Sequence, residues 1–133
     1  IEIKSGYGLT TQAEMKMLRV AKQLGEKYNI TVKTTFLGAH AIPPEFKDNK
    51  DGYLDLVCGE MIEEIASENL ADYVDVFCEK GYFSVADTNR VLQAGKKHGL
   101  IAKTHVNQFT AMGGVAVSVK NERHGPPPWV VTV

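Results

Sequence analysis

The stretch Ile30–His40, ITVKTTFLGAH, decides how this chain folds. Its β-branched and aromatic residues, from Ile30 to Phe36, favour a strand. Gly38-Ala39 then lets the backbone turn sharply and brings a chemically capable side chain, His40, to the strand end. The same design recurs on both sides: IEIKSGYG reaches Tyr7, VDVFCE reaches Glu79 and IAKTHVNQ reaches His105, each a short apolar strand followed by a helix-like segment. If the strands are parallel, all these ends fall on one rim, where α/β folds place their chemistry.

Between the strands the periodicity is helical. Thr11-x-x-Glu14 has the pattern of a capping box, which places a helix start near Thr11. Met17, Val20, Ala21, Leu24 and Tyr28 recur at helical spacing as its apolar stripe, and Asn29 breaks the pattern. After His40, AIPPEFKDNKDG is long for a simple βα connection, and a loop of that length at a catalytic rim is expected to cover a site. A second helix is expected from about Gly52 to Asn69, with Leu54, Val57, Met61, Ile62 and Ile65 on one face. A strand over Tyr73–Cys78 follows, then a helix capped by Ser84-x-x-Asp87, carrying Val85, Val91 and Leu92 and stopping at His98-Gly99. Ile101–Val106 reads as the last clear strand, and Gly113–Lys120 opens a fourth helix.

Alternation of this kind makes the fold class α/β, with parallel strands joined by right-handed crossovers. Two architectures fit it: a stretch of (β/α)8 barrel, or a small open doubly wound sheet. A whole barrel needs roughly 250 residues, so the chain could hold only about half of one.

The content of 44% hydrophobic and 23% charged residues is that of a soluble globular protein. Lys and Arg number 15 against 16 Asp and Glu, with no basic run, so neither nucleic acid nor an anionic membrane is expected as a partner. No apolar stretch approaches the ~20 residues that span a bilayer, and no signal-peptide pattern is present. Cys58 and Cys78 lie inside apolar patterns without CxxC spacing, which favours free thiols and a cytoplasmic location. The chain opens at Ile1 within a strand pattern and closes on ERHGPPPWVVTV, whose consecutive prolines exclude helix and central strand. The expectation is a piece of a longer protein, with residues 122–133 as an atypical Pro-rich tail.

Among the chemically capable residues, His105 stands out, since imidazole is the commonest metal ligand and Asn107 and Gln108 make its surroundings polar. The competing reading is a hydrogen-bonded structural histidine, and for His40 it is a loop histidine. Glu79 is expensive to bury unpaired, so it belongs at the rim or in an ion pair with Lys80 or Lys103. Ser5-Gly6-Tyr7-Gly8 could cradle a phosphate, although it matches neither GxGxxG nor GxxxxGK[ST]; Tyr7 as a hydrogen-bond donor to substrate is as good a reading. Gly113-Gly114 could offer N–H groups to an anion or serve close packing. His98 is expected to cap its helix, and His124 is given no role.

The strings KSGYGLT, TTFLGAHAIPPEF, ADYVDVFCEKGYFS and KTHVNQFTAMGG, in this order, resemble the imidazolonepropionase family of the amidohydrolase superfamily, from Ile1 to about Asn121. The resemblance implies a (β/α)8 barrel, of which residues 1–121 would supply about four βα units, barrel strands two to five. It also implies a single Zn or Fe ion at the C-terminal rim and the opening of 4-imidazolone-5-propanoate to N-formimidoyl-L-glutamate, a step of histidine breakdown. Carried over by motif, His105 would ligate the metal, while Tyr7, His40 and Gln108 would contact the small-molecule substrate; Gln108 is Glu in some members. Glu79 matches a motif without an assigned role.

The family's His-x-His pair, the Asp of strand eight and the His that follows strand five have no counterpart in the sequence. The isolated chain is therefore expected to be inactive, and a truncated or frame-shifted reading of the gene would account for its tail. An open α/β module binding an anionic small molecule at SGYG and the helix start near Thr11 is the alternative. A half-barrel would also self-associate through exposed apolar edges.

Overall fold

A computed structural model describes residues 1–121; the tail expected at 122–133, with His124, lies outside the described residues. Strands and helices alternate: β1 (Glu2–Lys4), α1 (Thr11–Tyr28), β2 (Lys33–Ala39), a 3-10 turn (Pro44–Phe46), α2 (Lys50–Leu56), a π turn (Val57–Met61), α3 (Ile62–Ser67), β3 (Tyr73–Cys78), α4 (Val85–Lys97), β4 (Ile101–Ala102), β5 (His105–Val106) and α5 (Gly114–Lys120). Every strand pairing is parallel, in the order β1-β2-β3-β4, and β5 pairs the end of β3. The strand expected over 101–106 is thus split in two. Lys103 N–H still donates to Val74 O at 2.8 Å, so the ladder passes through the gap. No reversal of strand order, which a doubly wound sheet requires, occurs among the described strands.

Strand alternation gives the sheet two unlike faces. Phe36, Ala39, Val74, Val76 and Ala102 turn to the helices and join Met15, Leu18, Tyr53, Leu54, Met61, Ile62, Ile65, Val91 and Leu92 in one buried cluster. Full burial of a leucine such as Leu18 or Leu92 contributes about 2 kcal/mol. The other face carries Glu2, Lys4, Thr35, Tyr73, Asp75 and Lys103, which pair among themselves: Lys103 Nζ donates to Glu2 at 2.8 Å, Lys4 Nζ to Asp75 at 3.0 Å, and Thr35 Oγ1 to Glu2 at 2.6 Å.

The helix between β2 and β3 runs as expected, with Leu54, Val57, Met61, Ile62 and Ile65 fully buried, but it widens into a π turn at Val57–Met61. The Ser84–Asp87 capping box forms as read, and His98 occupies the C-cap of α4, followed by Gly99 in the left-handed region at φ 84°. Both cysteines are free, Cys78 buried and Cys58 partly so.

Helix α1 departs from expectation twice. Its N-cap is Thr10, whose side chain accepts from Ala13 N–H, so no Thr11–Glu14 capping box forms. The expected stripe is also largely out of phase: its Ala21 is buried, but Val20, Leu24 and Tyr28 are exposed, while Glu14, Met15, Leu18 and Gly25 are buried. Two contacts set this rotation. Glu14 must reach back into the loop before the helix, and a side chain at Gly25 would meet Val32 Cγ2 at 2.9 Å.

The long loop after His40 is partly structured. Pro44–Phe46 forms the 3-10 turn and helix begins at Lys50, while Phe46 packs on Tyr53 with ring centroids 5.5 Å apart. Phe46 therefore anchors this loop to the core rather than covering the rim.

Candidate active site

Because the strands are parallel, Tyr7, His40, Glu79 and the His105–Gln108 segment all follow strand ends on one side of the sheet. Tyr7, His40 and Phe77 form a row of edge-on aromatic contacts, with centroids 5.0 Å apart for Tyr7–His40 and 6.0 Å for His40–Phe77. Phe77 in turn pairs in register with His105 and meets Tyr82 at 4.7 Å. Tyr7 is 77% exposed, and Gln108 is exposed too.

A β-bulge aims His40. The ladder between β2 and β3 keeps register at Phe36–Val74, then shifts so that Ala39 pairs with Val76. One extra residue reverses the alternation, since side chains change face at every step. Ala39 therefore enters the core, and His40 turns to the rim instead of toward the helices. At Gly38, a Cβ would stand 2.3 Å from the Phe36 ring, and its carbonyl accepts the buried Tyr53 hydroxyl at 2.7 Å. The His40 ring is held by Nδ1, which donates to Gly6 O at 2.9 Å and leaves Nε2 unengaged by that bond.

The SGYG loop is not an open anion cradle. Glu14, fully buried, accepts from Gly6 N–H at 2.8 Å, Gly8 N–H at 2.8 Å and Leu9 N–H at 2.9 Å. The amides that could have held phosphate already hold a carboxylate of the chain. Gly6 and Gly8 serve close approach: a Cβ at Gly6 would lie 2.7 Å from Leu37 O, and one at Gly8 2.6 Å from Ala13 Cβ. Gly114 is likewise a packing glycine, since a Cβ there would meet Val106 Cγ1 at 2.5 Å.

Of the two readings for Glu79, rim residue or ion pair, the first holds: it is buried at the strand end and pairs with neither Lys80 nor Lys103. Its Oε1 accepts from Lys80 N–H at 2.9 Å, and its Oε2 from Phe109 N–H at 2.9 Å and Thr110 N–H at 3.2 Å. These bonds, that of Phe109 foremost, hold its carboxyl below the usual carboxylate range against the opposing effect of burial. Lys103 is engaged by Glu2 and lies over the Tyr73 ring.

His105 Nδ1 lies 2.9 Å from Asp75 Oδ2, close enough for an ion pair but without hydrogen-bond alignment, and that nitrogen is buried. Among the described residues, no three His, Cys, Asp or Glu side chains converge as a metal site. The described residues therefore assemble no metal centre around His105, whose one acidic neighbour within 4 Å is Asp75.

Sequence reasoning passed over Asp75, Phe77, Tyr82 and Tyr53, and gave Glu14 a capping role instead of its place under the SGYG loop. Asp75 and Phe77 carried a usable signal, since they alternate with the apolar Val74, Val76 and Cys78 and so fall on the polar face.

Fold and rim define a class: a parallel α/β segment whose helices pack on one face and whose strand ends gather aromatic and imidazole side chains. Within that class the sequence points further. The chain is 61% identical over 122 residues to the imidazolonepropionase of Christiangramia forsetii, covering 92% of this chain and 30% of that protein. It is 59% identical over 122 residues to the imidazolonepropionase of Flavobacterium psychrophilum, with the same coverage. For the Shewanella frigidimarina imidazolonepropionase the figures are 58% over 120 residues, 90% and 29%. The chain thus resembles a part of imidazolonepropionase, and it spans about 30% of the length of the curated relatives it matches. No protein-family model matches it. None of the described helices is long and apolar enough to cross a membrane.

Proposed function

We propose that this chain is part of a metal-dependent hydrolase of cyclic amides, which opens 4-imidazolone-5-propanoate to N-formimidoyl-L-glutamate in histidine breakdown. The observation that carries the reading is identity of 57–61% to imidazolonepropionases over about nine-tenths of the chain. The uninterrupted strand order, with apolar helix-facing and charged opposite faces, supports placing residues 1–121 in a (β/α)8 barrel as strands two to five. In that barrel the charged face points inward and the row Tyr7–His40–Phe77–His105 lies at the mouth. The protein acts in the cytoplasm on a small molecule, without nucleic acid or membrane partners.

In this reading His105 gives one nitrogen to a divalent ion, Zn or Fe, with the remaining ligands coming from outside the described residues. Asp75 Oδ2 lies 2.9 Å from Nδ1, which leaves Nε2 as the nitrogen that would ligate. When bound, such an ion makes water nucleophilic near neutral pH and polarises the ring carbonyl. The chain's own side chains bind and orient: Tyr7 donates from its hydroxyl, His40 offers Nε2, and Gln108 offers both an amide donor and an acceptor to the imidazolone or its propanoate arm. With one ligand of the set, the 133-residue chain alone is inactive. Its outer helix faces, Val20, Leu24 and Tyr28 on α1 and Val115 and Val119 on α5, self-associate or meet the rest of a barrel.

The test is hydrolysis of imidazolonepropionate with added zinc or iron. The chain extended to the length of its relatives should turn substrate over, and His105→Ala should abolish this. No turnover by the extended protein would overturn the function, and turnover by the 133-residue chain would overturn its inactivity.

A further inference from the structure

Two rim loops meet at Glu79. The first, which follows β3, is fixed through the backbone of Glu79 itself: its N–H donates to Phe83 O at 3.1 Å, and its carbonyl accepts from Tyr82 N–H at 3.0 Å. The second follows β5 and carries Gln108. Between β5 and the amides that Glu79 grips, Asn107 stands in the left-handed region at φ 58°, which Asn tolerates better than most side chains. Gln108 therefore sits between a residue held in an uncommon backbone conformation and two amides, Phe109 and Thr110, bound to one carboxylate oxygen. Phe109 contributes little packing of its own, being 74% exposed. The described contacts that tie this loop down therefore run through its backbone to Glu79. Phe77 and Tyr82, edge-on with centroids 4.7 Å apart, close the first loop beside it.

A carboxylate suits this task better than a neutral acceptor. Two N–H groups converge on Oε2 while a third reaches Oε1, and charged acceptors form the shorter, stronger bonds. A lysine partner would compete for the same lone pairs, and none takes part: Lys80 is exposed, and Lys103 is bound to Glu2. Burying the group without a cation is tolerable because three backbone amides replace its hydration.

We propose that Glu79 is the positioning residue of this site: its buried carboxylate locks the Asn107–Thr110 loop and so fixes Gln108 at the rim, three residues beyond His105. The Gln108 side of this inference rests on the proposed function, in which Gln108 contacts substrate; the clamp itself does not.

The experiment has two arms. In the 133-residue chain, amide hydrogen exchange is followed for the wild type, Glu79→Gln and Glu79→Ala. Glu79→Ala should speed exchange at Phe109 and Thr110 by about tenfold or more, with Leu18 and Phe36 unchanged, and Glu79→Gln should fall in between because one acceptor oxygen remains. Unchanged exchange at Phe109 and Thr110 would overturn the clamp, and so would an equal loss of protection across the whole chain. Should Glu79→Ala fail to fold, Glu79→Gln carries the same comparison.

In the protein extended to its relatives' length, Glu79→Ala should raise KM for imidazolonepropionate by about tenfold with a smaller change in kcat. Combined with Gln108→Ala, it should add little to the effect of either change alone. Additive effects would overturn the positioning role. If the extended wild type turned over no imidazolonepropionate, the proposed function would fall, while the exchange arm would still decide whether Glu79 holds the loop.

Discussion

Replacing Glu14 by alanine should open an anion site that the native chain fills with its own side chain. Three N–H groups, those of Gly6, Gly8 and Leu9, converge on the Glu14 carboxylate at 2.8–2.9 Å. The Gly6 bond is buried and the other two are partly buried. Leaving a buried donor unpaired costs about 2 kcal/mol, and water can restore part of the other two bonds, so each of those loses about 0.5–1 kcal/mol. The sum is about 3 to 4 kcal/mol, reduced by a few tenths because alanine is the better helix former. For a domain of this size that lowers the melting midpoint by roughly 10 °C. Glu14→Gln, which keeps one acceptor oxygen, should lose about half as much.

The vacated pocket of Glu14→Ala should then accept a small carboxylate. If formate binds there with a dissociation constant of about 10 mM, then ~100 mM formate returns about 1.4 kcal/mol. Thermal melts of wild type and variant in formate and in chloride at equal ionic strength read this directly. Formate should raise the midpoint of Glu14→Ala and leave the wild type unmoved. A loss below about 1 kcal/mol in Glu14→Ala would refute the accounting. Stabilisation of the wild type by phosphate or formate would restore SGYG as an anion-binding loop.

Three further outcomes follow from the packing and the charges. Gly95→Ala would set a methyl 2.4 Å from Val74 Cγ1, so despite a helix-propensity gain it should destabilise by about 1–2 kcal/mol in urea titrations. Val74→Ala on top of it should cost less than the two single losses summed. Tyr53→Phe leaves the Gly38 carbonyl without its buried donor and should cost about 1–2 kcal/mol; no loss would mean that the bulge does not depend on that hydroxyl. Burial alone would raise the Glu2 carboxyl, but Lys103, Lys4 and Thr35 outweigh it and bring it down from 4.5 to about 2. Its folded value lies below its unfolded one, so its contribution is fully present above pH 4.5 and fades as the pH falls toward 2. Solvent screening at this half-open position limits that contribution to about 1 kcal/mol, and Glu2→Gln should flatten the acid limb of the urea midpoint by that much.

The sequence made the alternation of strands and helices legible, because β-branched runs and helical spacing are local signals. The Ser84–Asp87 cap was legible for the same reason, as its partners lie three residues apart. The rotation of α1 was not. Met17, Val20, Ala21, Leu24 and Tyr28 make as regular a stripe as Met15, Leu18 and Ala21, and of the first set only Ala21 is fully buried; contacts to Gly6, Gly8, Leu9 and Val32 decide between them. Glu14 was misread for a related reason: its spacing from Thr11 fits a capping box, whereas its actual partners lie upstream in the loop. The bulge that aims His40 also escaped a local reading, since it exists only relative to the neighbouring strand.

The charged face shows how a rim can be prepared before its chemistry is complete. Glu2, Lys4, Asp75 and Lys103 neutralise one another within the described residues, so the floor beneath the strand ends does not depend on further chain to balance its charge. Above that floor, the carboxylates of Glu14 and Glu79 are spent on backbone amides rather than on cations or substrate. Among the described residues, the rim side chains left with unspent capacity include Tyr7, His40 Nε2 and Gln108, together with the far nitrogen of His105. Acidic residues near a strand end can therefore carry loop geometry instead of catalysis. At this rim an acid's partners, backbone amide or side chain, are what distinguish the two roles.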